Sequence, residues 1–155
     1  MSEAQSLFIF CLDSVRYAVF LAAVDRVLQA VEITQIPLLV GNISGVINMN
    51  GLIVPVVNTR RMLGLPEREI ELDDVFIIVR TGTRIVALIA DNVEQVAEIP
   101  DERITRTDII SPDLHRLSGI ARLKNNIILI HDLEQCISAE EAAAIDLAID
   151  EAYSP

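Results

Sequence analysis

The sequence predicts a mainly β chain folded into two small β-barrels side by side, closed by a short C-terminal α-helix. Three observations predict it. First, 52% of the 155 residues are hydrophobic but only 4% are aromatic, and 22 isoleucines with 15 valines supply much of the apolar content. These β-branched residues come in short runs between turn formers, which is how strands read. Second, Ser44-Gly45-Val46-Ile47-Asn48-Met49-Asn50-Gly51-Leu52-Ile53-Val54 aligns without a gap on Ser118-Gly119-Ile120-Ala121-Arg122-Leu123-Lys124-Asn125-Asn126-Ile127-Ile128. Upstream, Val24-Asp25-Arg26-Val27 resembles Val93-Glu94-Gln95-Val96, so the chain is built twice within a single domain over 1–155, in units of roughly 6–66 and 75–137. Units of about 70 residues with about five short strands each are too small for a large sandwich and too few for a solenoid. Third, the pattern changes after Ser138 to an alanine-rich, capped segment, a helix over 138–152.

Each element has a local reason. Leu7 to Leu12 reads as a buried strand that turns at Asp13-Ser14 into a partner over Tyr17 to Leu21. Val24, Val27, Leu28 and Val31 recur at helical spacing, which predicts a short helical turn between 22 and 31. Ile33, Ile36 and Pro37 suggest an extended segment. Val46 to Met49 and Leu52 to Val57 flank Asn50-Gly51, a pair suited to the two positive-φ positions of a type I′ hairpin turn. Pro55 cannot donate to a ladder and is expected at a sheet edge or a bulge. Arg60 to Leu65 predicts a turn of helix ended by Gly64 and Pro66, followed by an acidic linker over Glu67 to Asp74. Val75 to Val79 and Arg84 to Ala90 bracket Thr81-Gly82-Thr83 as a second hairpin. The charged stretch 100–116 reads as a solvated loop, and Gly119 to Leu123 pairs with Ile127 to Ile130. Ser138 and Glu141 form a capping box, with Ala142, Ile145, Ala148, Ile149 and Ala152 on the face that docks.

Charge and composition exclude several functions. The net charge of −11, with one lysine and eleven arginines scattered along the chain, argues against nucleic acid, which needs clustered cations. No apolar run approaches the roughly 20 residues of a membrane span, and the first residues lack the basic region of a secretory signal, so a cytoplasmic protein is expected. Cys11 and Cys136 sit among apolar neighbours and read as buried thiols.

No catalytic or metal constellation emerges. His115 and His131 are the only histidines, and Asp132, adjacent to His131 on a strand, points to the opposite face and cannot orient it. Metal-ligand spacings and phosphate-cradling glycine loops are absent, so no cofactor, no metal and no enzyme activity are expected. A small-ligand-binding barrel pair is the alternative from another class, and the scarcity of aromatic rings weighs against it.

Ile33-Thr34-Gln35-Ile36-Pro37 followed by Gly45-Val46-Ile47-Asn48-Met49-Asn50-Gly51-Leu52-Ile53-Val54-Pro55-Val56-Val57-Asn58 resembles the signature of CheW-like domains, in which a "GviNlRG" turn precedes an "iiPVvdL" strand. Phe8-Ile9-Phe10 with Tyr17, the stretch from Ile85 to Val96, and Leu117 to Leu133 continue the match over most of 6–138. The resemblance implies two five-stranded SH3-like barrels without catalytic residues, acting as an adaptor between chemoreceptors and the histidine kinase CheA. It further implies a receptor-facing groove at Val24, Arg26, Gly45, Asn48, Asn50 and Gly51, which takes the receptor's cytoplasmic hairpin tip. A kinase-facing apolar patch at Phe8, Leu21, Val24 and Val27 would meet the CheA regulatory domain. For the aliphatic residues of that patch, ordinary barrel core is the preferred reading. For Gly45, a turn or bulge requirement is as good a reading as close approach of a partner. Asn50 stands where the family motif usually has arginine, and Arg26 where many members have glutamate. Those departures suggest an adaptor that serves a divergent receptor or kinase set, and the alternative within the same fold is an adaptor of a divergent chemotaxis-like pathway controlling pili, gliding or development.

Overall fold

The computed structural model describes residues 3–35, 41–82, 84–106, 117–135 and 137–153. Among them the chain forms β1 (Ala4–Leu12), β2 (Val15–Phe20), β3 (Val24–Gln29), β4 (Ile43–Met49), β5 (Leu52–Val57), α1 (Thr59–Leu63), β6 (Val75–Thr81) and β7 (Arg84–Ala90). There follow β8 (Asn92–Pro100), β9 (Ile104–Arg106), β10 (Leu117–Arg122), β11 (Ile127–His131) and α2 (Ala139–Tyr153). One sheet has the order β8-β1-β2-β11-β10-β9 and the other β3-β6-β7-β5-β4, six and five strands instead of five in each.

The two sheets do not coincide with the repeat units 6–66 and 75–137. Each unit runs through the same elements, a hairpin, a bulged edge strand and a second hairpin, but the units exchange their first hairpins. Hairpin β1–β2 pairs with β8 and β11 of the second unit. Hairpin β6–β7 pairs with β3 and β5 of the first. The exchange is reciprocal residue by residue. Ala18 lies between Ile9 and Ile130 in one sheet, and Ala87 between Ile78 and Val56 in the other. Both alanines are fully buried, as the narrow interior of a small barrel requires.

Side chains fill three layers. Leu7, Ile9, Ile128 and Ile130 occupy the first barrel, and Val54, Val56, Phe76 and Ile78 the second. Between the sheets Phe10, Leu12, Tyr17 and Val19 meet Ile77, Val79, Val86 and Leu88, joined by Met62 and Ile145 from the helices. The rings of Phe10 and Tyr17 stack with centroids 6.1 Å apart in this layer. Strands β1, β2, β6 and β7 therefore bury both faces, which is why they read as continuous apolar runs without alternation. Each fully buried aliphatic side chain stabilises the fold by about 1.5–3 kcal/mol relative to exposure.

Turn chemistry behaves as expected. Asn50 and Gly51 take φ of 53° and 91°, and Asp13 and Gly82 occupy equivalent turn positions with φ of 56° and 57°. Gly45 and Gly119 share a stricter requirement. Each sits at a bulge, and a Cβ there would lie 2.5 Å from the Thr34 carbonyl oxygen at Gly45 and 2.9 Å from that of Thr105 at Gly119. The repeat thus preserves the crossing of an Ile-Thr backbone over a glycine.

Several elements depart from expectation. Residues 22–31 hold a 3₁₀ turn at Leu21–Ala23 and then the edge strand β3. A bulge between Val24 and Arg26 inserts one residue, so Val24 and Val27 share a face at a spacing that imitates a helix. The charged stretch 100–116 contains β9, and its residues 107–116 lie outside the described residues, as do Ile36, Pro37, His115 and Cys136. Pro55 is buried in the interior strand β5, opposite Val46. It is tolerated because the parallel pairing of β5 with β7 begins only at Val56. The capping box is present. Ser138 Oγ accepts from the Glu141 N–H at 3.0 Å and Glu141 Oε1 from the Ser138 N–H at 2.9 Å. The other carboxylate oxygen of Glu141 accepts from the Asn42 N–H, tying α2 to the start of β4.

Two outcomes test this architecture. Fragments ending at Leu72 and beginning at Asp73 each lack a cooperative thermal transition alone, and mixing them restores it, as read by circular dichroism. Gly45→Ala and Gly119→Ala destabilise the chain by about 1–3 kcal/mol, Gly45→Ala more, as read by urea denaturation.

Candidate protein-interaction surface

Among the apolar side chains left exposed, Val27, Val93 and Val96 lie on the edge strands β3 and β8, while Val15, Phe20, Leu52 and Ile127 lie at strand ends, Val31, Ile70 and Leu72 between elements and Leu147 on α2. In β3, Val24 pairs with Val79 and Val27 with Ile77, so both point toward the inter-sheet layer, but β3 overhangs it. Val24 packs on the layer, whereas Val27 is 37% exposed. Leu21, in the preceding 3₁₀ turn against β1 and β6, is also 37% exposed, and Phe8 on β1 is half-buried against the same layer. Core burial, the preferred reading for these four, therefore holds in part for Phe8 and Val24 and fails for Leu21 and Val27. The reason is geometric: an edge strand has a neighbour on one side only.

The second unit repeats this rim. Val93 pairs with Phe10 and Val96 with Phe8, and they are 36% and 48% exposed. Val93 and Val96 were missed as candidates, although the likeness of Val24-Asp25-Arg26-Val27 to Val93-Glu94-Gln95-Val96 marks them. Among the described residues, Phe10, Tyr17, Val19, Ile77, Val79 and Leu88 pack together between the sheets.

Polar residues at the open end of the second barrel form a separate group. Asp25 sits between two arginines, 3.1 Å from Arg26 Nε and 3.3 Å from Arg80 Nη2. Further along the chain, Asn48 Oδ1 accepts from the Gly51 N–H at 2.7 Å and closes the β4–β5 turn, leaving Asn48, Asn50 and Gly51 at the surface. Gly45 is buried, and the space a side chain would need is taken by the chain's own Thr34 and Ile33. The bulge requirement accounts for it, and a partner has no access there.

Rigid placement of the two sheets rests partly on ions. Asp91, the single residue between β7 and β8, accepts both Nη2 contacts of Arg60 at 2.7 Å, Arg68 Nη2 at 2.6 Å and the Asp13 N–H at 2.6 Å. Arg60 also donates to Asp13 at 2.9 Å, and Arg68 to Asp74 at 2.8 Å. Burial alone pushes the Asp91 carboxyl up, but the guanidiniums of Arg60 and Arg68 outweigh it and hold it below the usual range. Burial and the hydrogen bond to Glu94 raise the Cys11 thiol to about 11, so at neutral pH it is an inert thiol.

Among the described residues no three His, Cys, Asp or Glu side chains converge to hold a metal ion, and no helix is long and apolar enough to cross a membrane. Two barrels with aliphatic interiors and overhanging apolar edges define a module whose recognition chemistry is carried on its surface. The chain belongs to the CheW-like domain family, whose sequence pattern matches residues 6–141. Chemotaxis protein CheW of Klebsiella aerogenes is 26% identical over 144 residues, 92% of this chain and 87% of that protein. Chemotaxis protein CheW of Thermotoga maritima is 26% identical over 114 residues, 74% of this chain and 75% of that protein. The crystal structure of the scaffolding protein TtCheW from Thermoanaerobacter tengcongensis superposes with a TM-score of 0.80 at 27% identity, covering 91% of this chain and 96% of that one.

The ionic brace has a measurable signature. Asp91→Asn costs about 3 kcal/mol at neutral pH, because it removes the bidentate carboxylate from the buried Arg60 guanidinium and leaves it Asp13 as its carboxylate partner. The folded pKa of Asp91 lies below its unfolded value, so its contribution is complete above the ordinary aspartate range and is lost as pH falls through the folded value. Urea titrations across that acid limb show a steeper loss for the wild type than for Asp91→Asn.

Proposed function

We propose that this chain is a non-enzymatic adaptor that couples chemoreceptors to the histidine kinase CheA, working in the cytoplasm and reaching the membrane only through its partners. The observation that carries this reading is the overhang of β3: Val27 on the strand and Leu21 in the 3₁₀ turn before it are exposed aliphatics beside packed core. Exposed apolar side chains on a rigid element suit a docking patch, because little conformational freedom is lost when a partner covers them. The CheA regulatory domain covers Leu21 and Val27, with Val24 and Phe8 beneath them. The receptor's hairpin tip meets the other side of β3 and the turn at Asn48, Asn50 and Gly51, with Arg26. Simultaneous docking makes the affinity for one partner depend on the state of the other, which is the thermodynamic content of coupling.

A second reading, an adaptor of a divergent chemotaxis-like pathway, is favoured by Arg26 and by the uncharged Asn50 in the turn, since asparagine replaces none of arginine's charge or planar donors. A pull-down with a standard receptor–CheA complex separates the two: weak incorporation supports the divergent pathway.

Val27→Asp and Leu21→Ser weaken binding to the purified CheA regulatory domain by about 2 kcal/mol, read by calorimetric titration, with the melting temperature unchanged because both side chains are exposed. Undiminished affinity in both variants would move the kinase surface elsewhere.

A further inference from the structure

The pseudo-symmetry of the two barrels provides an internal control that separates residues needed to build a barrel end from residues that do something else there. Val24 opposite Val79 corresponds to Val93 opposite Phe10, so Asp25 corresponds to Glu94, Arg26 to Gln95 and Arg80 to Cys11. At the first barrel end, Glu94 accepts from Arg16 and from Cys11, and one carboxylate meets one guanidinium. At the second, one carboxylate meets two guanidiniums, Arg26 and Arg80, with the side chains 49% and 62% exposed. The first barrel closes without the extra cation, so the extra cation is not a folding requirement. It also runs against the composition of the chain, whose net charge is −11.

We propose that Arg26 and Arg80 form a carboxylate-recognition site, and that the partner meeting the barrel-facing side of β3, the receptor's hairpin tip in the adaptor reading, presents an aspartate or glutamate to it. Asp25 positions the pair by holding Arg26 through Nε and Arg80 through Nη2, which leaves donors of both guanidiniums directed to the surface. The bulge at Asp25 supplies the second part of the code. It puts Arg26 on the barrel-facing side of β3 and Val27 on the inter-sheet side, so the two sides of this edge offer one partner cations and the other an aliphatic face. The inference rests on the adaptor reading for the identity of the partner, but not for the chemistry of the site.

The test titrates the full chain with the purified CheA regulatory domain and, separately, with a chemoreceptor cytoplasmic hairpin fragment, at low and high salt. Binding of wild type to neither probe removes the adaptor reading. Where wild type binds, the double substitution Arg26→Glu with Arg80→Glu weakens the hairpin complex by about tenfold and flattens its salt dependence, while Arg26→Lys with Arg80→Lys retains most of the affinity. A glutamate variant that binds the hairpin fragment as tightly as wild type overturns the proposal. A second measurement uses no cognate partner: ¹⁵N spectra of the arginine side chains during addition of hexaglutamate. Shifts at Arg26 and Arg80 Nε–H that salt abolishes, with Arg16 unmoved, support the site. No shift, or the same shift at Arg16, overturns it whatever the outcome of the titrations.

Discussion

The inter-sheet layer is the constraint on which the rest of the molecule depends. Phe10, Tyr17, Ile77, Val79 and Leu88 bury themselves between two sheets that each also need an interior, so four strands must be apolar on both faces. Exchange of the hairpins is what makes this possible. With β1–β2 completing the second unit's barrel and β6–β7 completing the first unit's, each unit contributes strands to both sheets, and the layer between them is made of the exchanged hairpins themselves. A fold stitched this way cannot split into its two sequence units without losing strand pairing in both sheets. The ion pairs at Asp91 lie where the chain crosses from one sheet to the other, and Arg60 and Arg68 reach it from α1 and the linker.

Function is left to the margins by the same constraint. Among the described residues the barrel interiors are packed with aliphatic side chains and the layer between the sheets is core. The edge strands β3 and β8 each overhang the layer they face. A bulge in each sets two valines on one side with charged or polar residues between them. Recognition by such an edge is a matter of surface complementarity, which agrees with a family of chemotaxis and scaffolding proteins.

Much of this was legible in the residues where the physics is local. Asn50-Gly51 announced its hairpin through the positive φ that asparagine and glycine accept, and Ser138 with Glu141 announced the start of α2. The gapless repeat predicted equivalent positions that the structure superposes, down to Gly45 and Gly119. Non-local pairing was not legible. Nothing in Leu7 to Leu12 says that its partner besides β2 is β8, because β-branched runs carry no address. The edge strand β3 was misread for a different reason: a bulge converts a period of two into a spacing of three, which periodicity alone assigns to a helix. The same misreading hid the exposure of Leu21 and Val27, since burial was inferred from residue type. Gly45 was ambiguous until the backbone of Thr34 was seen to cross it.

The most direct test of the central claim, that the overhanging edge is the docking surface and the layer beneath it an unmoving platform, is hydrogen exchange of the full chain, free and saturated with the CheA regulatory domain. New protection confined to Leu21 through Gln29 and the adjoining part of β1, with β6 and β7 unchanged, is the result this account predicts. Protection that appears only in α2 or the linker, with β3 exchanging as in the free chain, would contradict it.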